Sequence, residues 1–131
     1  MRISGPFSSG VASGGAGVAT ANADSNHRVS GRVLGVYVKY NDSPPAGTTD
    51  VTIKAVGSSP APPSYNVLAV SNAATDGWFY PRVALCDQDG AALTYDGTRP
   101  VHDLLPLDDV LNVEIAQANN GDSVDVWLLL E

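Results

Sequence analysis

Cysteine is nearly absent. One thiol, Cys86, is all that 131 residues hold, so no disulfide can form within the chain. That excludes a small extracellular scaffold stapled by bridges. Basic residues are also few. Arg2, Arg28, Arg32, Lys39, Lys54, Arg82 and Arg99 stand against 14 acids, giving a net charge of −7. The seven are scattered, whereas phosphate backbones and anionic lipid surfaces need clustered cations. Neither nucleic acid nor a membrane is an expected partner. No apolar run approaches the ~18 residues that span a bilayer; the longest is Val126 to Leu130. No apolar stretch follows Arg2, so no secretory signal is visible, and folding in a cytoplasm is expected.

Catalytic signatures are missing as well. The chain contains no Walker loop, dinucleotide fingerprint, G-x-S-x-G, H-E-x-x-H or C-x-x-C. "SGGAG" lacks the lysine and the following helix of a phosphate loop. His27 and His102 read as surface or loop histidines, and Cys86, with no cation beside it, as a small apolar filler. The acidic turns in "DQDGAALTYDG" are the nearest approach to a cation site. Asp87, Asp89 and Asp96 are candidate calcium ligands, but the set is incomplete because an EF-hand needs a further acid and a terminal Glu. The expectation is a protein that is not an enzyme, with no metal and no cofactor.

What is present is alternation. Val51, Ile53 and Ala55 share one face of "DVTIKAV"; Leu111, Val113 and Ile115 share one face of "VLNVEIAQ". In "DSVDVWLLLE", Val124, Val126, Leu128 and Leu130 oppose Ser123, Asp125, Trp127 and Leu129. "HRVSGRVLGVYVKYN", "SYNVLAVSN" and "GWFYPRVALCD" are further strands, the last interrupted or at an edge because Pro81 lacks an N–H. "RPVHDLLPL" carries two prolines and is a poorer strand. Turn chemistry separates them: "NDSPPAGTTD", "SSPAPPS", "TDG", "DQDG", "YDGTRP" and "NNGD". Residues 110–131 read as a hairpin turning at Asn119-Asn120-Gly121. About eight strands and no convincing helix predict an all-β fold, an antiparallel β-sandwich of jelly-roll type.

The N-terminal region is built from small residues. From position 17, Gly17, Ala19, Ala21 and Ala23 alternate with Val18, Thr20, Asn22 and Asp24. This predicts a strand with one very small face, turning at Asp24-Ser25-Asn26 to pair with the strand that begins near His27. Residues 1–14 are expected as a flexible arm that orders on binding, and 15–131 as a single sandwich domain. Ile3, Phe7 and Val11 are the arm's anchors. "GWFYP" is the densest aromatic cluster, so Trp78, Phe79 and Tyr80 join them as candidate partner contacts.

Three stretches carry a resemblance: "GRVLGVYVKYNDSPPAGTTDVTI" (31–53), "NAATDGWFYPRV" (72–83) and "NVEIAQANNGDSVDVWLLLE" (112–131). They resemble the jelly-roll cement, or decoration, proteins of tailed bacteriophages, over most of the chain from about residue 15 onward. The resemblance implies a virion structural protein on the capsid exterior. Its implied partners are the major capsid protein and further copies of itself, as dimer or trimer, with stabilisation of the expanded head as its task. It carries no catalytic residues. The competing expectation is a receptor- or carbohydrate-binding jelly-roll module of a head fibre or tail.

Overall fold

The computed structural model describes residues 1–41, 44–57 and 64–131. Asp42, Ser43 and the Pro-rich turn read at 58–63 lie outside them. Among the described residues the fold is all-β, without helices. The strands are β1 (Arg2–Ser8), β2 (Ala19–Tyr40), β3 (Asp50–Ala55), β4 (Tyr65–Val70), β5 (Gly77–Phe79), β6 (Arg82–Ala84), β7 (His102–Ala118) and β8 (Val124–Leu130). Every pairing is antiparallel, in the order β1-β8-β2-β7-β3-β4, with β5 on β2 and β6 on β7. First pairs with last and second with seventh, while β3 lies between β7 and β4.

The long strand β2 organises the molecule. Its first part, Ala19 to Val33, pairs with β7; its second, Val33 to Tyr40, pairs with β8 and, over Val36–Val38, with β5. Val33 lies opposite both Leu105 and Leu130, where the strand passes from one group of partners to the other. Inward residues of both groups join one cluster: Val51 and Ile53 of β3, Leu111, Val113 and Ile115 of β7, Val33, Val36 and Val38 of β2, and Val124, Val126, Leu128 and Leu130 of β8. The open sheet thus folds over a shared core, an arrangement consistent with a β-sandwich. The alternation read in β3, β7 and β8 is the alternation that is buried.

Two local expectations are corrected. Asp24-Ser25-Asn26 is not a turn but a bulge within β2, where the register against β7 shifts between Asp24 and Arg28. The polar side chains that suggested a turn bond sideways to β7 instead. Ser25 Oγ accepts from the Leu111 amide at 3.1 Å, and Asn112 Nδ2 donates to Asp24 at 2.8 Å. Residues 110–131 are also not a ladder. β7 and β8 flank β2 on opposite sides, and the 119–123 segment is a corner between them.

The small N-terminal residues serve that corner. Residues 2–8, expected within a flexible arm, form edge strand β1 on β8, with Phe7 in the core. Beyond it, Ser9 and Ala12 are buried, and Ser9 exchanges two bonds with Val124 at 3.1 Å. Ala12 donates to Asp122 O at 2.8 Å and accepts from Gly121 at 2.9 Å. A larger side chain at either buried position would displace this contact. Gly5 has the same logic in sharper form: at φ +131° a Cβ there would stand 2.7 Å from Val126 O.

Candidate functional site

The outer face of β1-β8-β2-β5 is the feature that the core does not explain. Residues that alternate with buried ones point there: Trp127 and Leu129 of β8, Tyr37 of β2 and Trp78 of β5. Register places them side by side. Tyr37 lies opposite Trp127 on one flank and Trp78 on the other; Leu129 lies opposite Ile3 and Gly35. The Tyr37 ring centroid is 5.3 Å from that of Trp78 and 6.1 Å from that of Trp127. Gly35 extends the face because it has no side chain. Ring atoms of Trp78 and Tyr80 approach to 3.4 Å from where its Cβ would be. Ile3 is 67% exposed, Tyr80 63% and Trp78 45%. At one end of the face Lys39 lies opposite Asp125, beside a shallow depression of about 250 Å³ that Asn41 and Ser123 also line.

A sheet face in water is normally polar, in contrast to the face packed on the core. This one is aromatic and aliphatic across four strands. The rings are tilted by 55° and 53° to their neighbours, so they interlock rather than lie in one plane. Such a surface suits the side chains of another protein, where buried aromatic anchors dominate the energetics.

The structure brings together three of the six candidate contacts: Ile3, Trp78 and Tyr80. It separates the others. Phe7 is 7% exposed, in the core, and Phe79 packs against that core. Val11 is exposed but belongs to the segment docked on the β7–β8 corner. Tyr37, Trp127 and Leu129 were not among the candidates, although the alternation of Trp127 and Leu129 against the buried face of β8 was the signal for them.

A second feature lies between Pro81 and Val101. Here the chain leaves the sandwich as a stem, β6 against the start of β7, that carries two short hairpins. One is bridged at Cys86–Ala92, the other at Thr94–Pro100. Stem and hairpins meet at a closed ring of backbone bonds. Leu85 donates to Val101 O (2.8 Å), Val101 to Leu93 O (3.0 Å), and Leu93 to Leu85 O (2.8 Å). An aspartate pins each tip. Asp87 Oδ1 accepts from the Asp89 and Ala91 amides at 2.9 and 3.0 Å; Asp96 Oδ1 accepts from those of Thr98 and Arg99 at 3.0 and 2.6 Å.

Asp87 and Asp96, two of the three candidate calcium ligands, thus belong to separate turns and point into their own backbones. Among the described residues no three His, Cys, Asp or Glu side chains gather as a metal site. Hydrogen bonds from the Arg99 amide and guanidinium, then from Thr98, hold the Asp96 carboxyl down at about 2, against an ordinary 3.8. A depressed folded value means this turn is fully supported above pH 4 and loses that support only as pH falls through about 2. NMR titration of the Asp96 carboxyl should give a midpoint near 2; a midpoint near 4, the ordinary carboxyl value, would show the turn open in solution.

His102 and Asp103 share an open depression of about 440 Å³ with Arg82 and Leu104 at the base of the stem. His27 is distant in register, its Nδ1 2.7 Å from Asn26 Oδ1 and its ring 5.9 Å from Phe7. The two histidines do not form a common site. Comparison with family models, curated proteins and solved structures finds no match to this chain.

Proposed function

We propose that this chain is a virion structural protein, a cement protein that docks on the outside of a tailed-phage capsid and stabilises the expanded head. The observation that carries a docking role is the outer face itself, with Ile3, Leu129, Trp127, Tyr37, Trp78 and Tyr80 contiguous where a solvated sheet would be polar. The capsid setting is supported by the resemblance of the three sequence stretches. The role needs no turnover, metal or cofactor. Binding to the expanded shell in preference to its precursor stabilises that shell by mass action. Repetition over neighbouring capsomers adds avidity through effective concentration. The partners in this reading are the major capsid protein and other copies of this chain, and a net charge of −7 keeps the free protein soluble before assembly.

The test is co-sedimentation with purified expanded capsids. The expected result is near-stoichiometric binding that Trp78→Ala combined with Ile3→Ser weakens by roughly tenfold or more, as loss of interface anchors does. Absence of binding to capsids, together with capture on a glycan array, would replace this reading by the receptor- or carbohydrate-binding alternative. The tilt between the rings speaks against that alternative, since sugar stacking favours an open, flat aromatic face.

A further inference from the structure

The corner between β7 and β8 holds a reactive pair. Asn120 is the chain's only asparagine followed by glycine, and both residues are exposed. In such a pair the glycine nitrogen, with no side chain beside it, can attack the carbonyl carbon of the asparagine side chain. The N–Cγ bond forms and the Cγ–Nδ2 bond breaks. The amide proton of Gly121 leaves with the departing NH2 as ammonia. Water then opens the five-membered imide at one or other carbonyl, leaving aspartate or isoaspartate.

Two features of the folded corner hold this reaction off. The nucleophile is occupied, because the Gly121 amide donates to Ala12 O at 2.9 Å. Its approach is also wrong. The Asp122 amide donates to Asn119 O at 3.1 Å, Gly121 has φ +93°, and Asn120 is not among the positive-φ residues. That combination is a type II turn, which sets ψ of Asn120 at about +120°. Ring closure needs Asn120 Cβ and the Gly121 nitrogen nearly eclipsed about the Cα–C bond, and this ψ swings them apart. The turn is braced from outside by residues 9–12, since Ala12 also donates to Asp122 O at 2.8 Å. That brace is held lightly. Of residues 9–16 only Ser9 and Ala12 are buried, and the Ala12 methyl is their one contribution to the core cluster. So little apolar burial lets the segment open well below the cost of global unfolding.

We infer that Asn120 is a self-modification site gated by residues 9–12, which makes the corner a one-way latch. While Ala12 is seated the site is silent. When the segment lifts, the Gly121 amide is freed, the turn relaxes and Asn120 is converted. The product opposes return. Isoaspartate routes the main chain through one extra carbon, which misaligns the groups that meet Ala12, and either product sets a new carboxylate beside buried Asp122. The only co-reactant is water. The latch is separate from shell docking and does not depend on it.

The test is peptide mapping by mass spectrometry of the full chain held in mildly alkaline buffer. Conversion is read at Asn120 as the mass gained when OH replaces NH2. The folded parent should convert at least roughly tenfold more slowly than the same chain in urea, because modification tracks the open population. Ser9→Ala removes the hydroxyl that accepts from the Val124 amide at 3.1 Å, adds no bulk, and should raise the folded-state rate roughly five- to thirtyfold. Asn120→Gln, which would need a six-membered ring, should show no gain at that position. In the converted protein the Ala12 amide should exchange freely with solvent, whereas the parent protects it. A folded parent that converts as fast as in urea overturns the inference. So does Ser9→Ala at the parent's rate with an unchanged circular dichroism spectrum, or Ala12 protection that survives conversion.

Discussion

Replacing Asp122 with alanine should lower the unfolding free energy by about 3 kcal/mol, the penalty for stranding two partly buried amides. Asp122 is buried at the β7–β8 corner, and its Oδ2 accepts from the Asn119 amide at 2.8 Å and the Ala46 amide at 3.1 Å. Its backbone takes part too, accepting from Ala12 and donating to Asn119. The Asn119 side chain in turn accepts from Gly17 at 3.0 Å. One carboxylate thus joins the corner to the Ala46 loop, while main chain and Asn119 tie in the N-terminal segment. Both side-chain bonds converge on a single oxygen, which supplies a sharp control. Asp122→Asn can place its amide oxygen there and keep both, so it should cost no more than about 1 kcal/mol, the scale of one typical net hydrogen bond. Urea midpoints at constant slope measure both variants. An alanine variant within about 1 kcal/mol of the parent would mean that water replaces the carboxylate.

Leu111→Ala should cost about 3 kcal/mol, within the range of buried leucine truncations. Leu111 is fully buried in the middle of β7, opposite Ala55 on β3. With small neighbours such as Ala55 already in place, the surroundings have little bulk with which to collapse into the void. Domains are stable by only ~5–15 kcal/mol in total, so the loss should appear as a marked fall in urea midpoint. Ile115→Val, on the same face of the same strand, removes one methyl group and should cost about 1 kcal/mol. Equal costs for the two would contradict the single packed core described above.

Much of the core was readable because alternation depends only on backbone geometry. The faces of β3, β7 and β8 could be assigned residue by residue. What could not be read was the choice of partner, which is tertiary. Asn119-Asn120-Gly121 has the chemistry of a hairpin turn, yet β2 lies between the strands it joins. Asp24-Ser25-Asn26 has the chemistry of a turn, yet Asn112 and the Leu111 amide on β7 satisfy its side chains in an extended bulge. The candidate site was half legible for a related reason. Ile3 and Phe7 have the same parity and should share a face. A register shift between Ser4 and Phe7 reverses the alternation, sending Ile3 to the outer face and Phe7 to the core. The hairpins between Pro81 and Val101 were read as one further strand and turns, because exposure on both sides of a layer leaves no periodic trace.

The pairing of β1 with β8 has a consequence for how the molecule is made. Arg2 lies opposite Leu130, so nearly the whole sequence separates two hydrogen-bonded neighbours. During synthesis β1 emerges first and then waits, unpaired, until β8 has been translated. The β3–β4 hairpin can close early, but the β2–β7 ladder and then β1–β8 must each close a long loop. Contacts of such sequence separation make for slow folding, in the millisecond-to-second class of β-sandwiches. Throughout that interval the nascent chain carries an exposed Phe7 and an open strand edge.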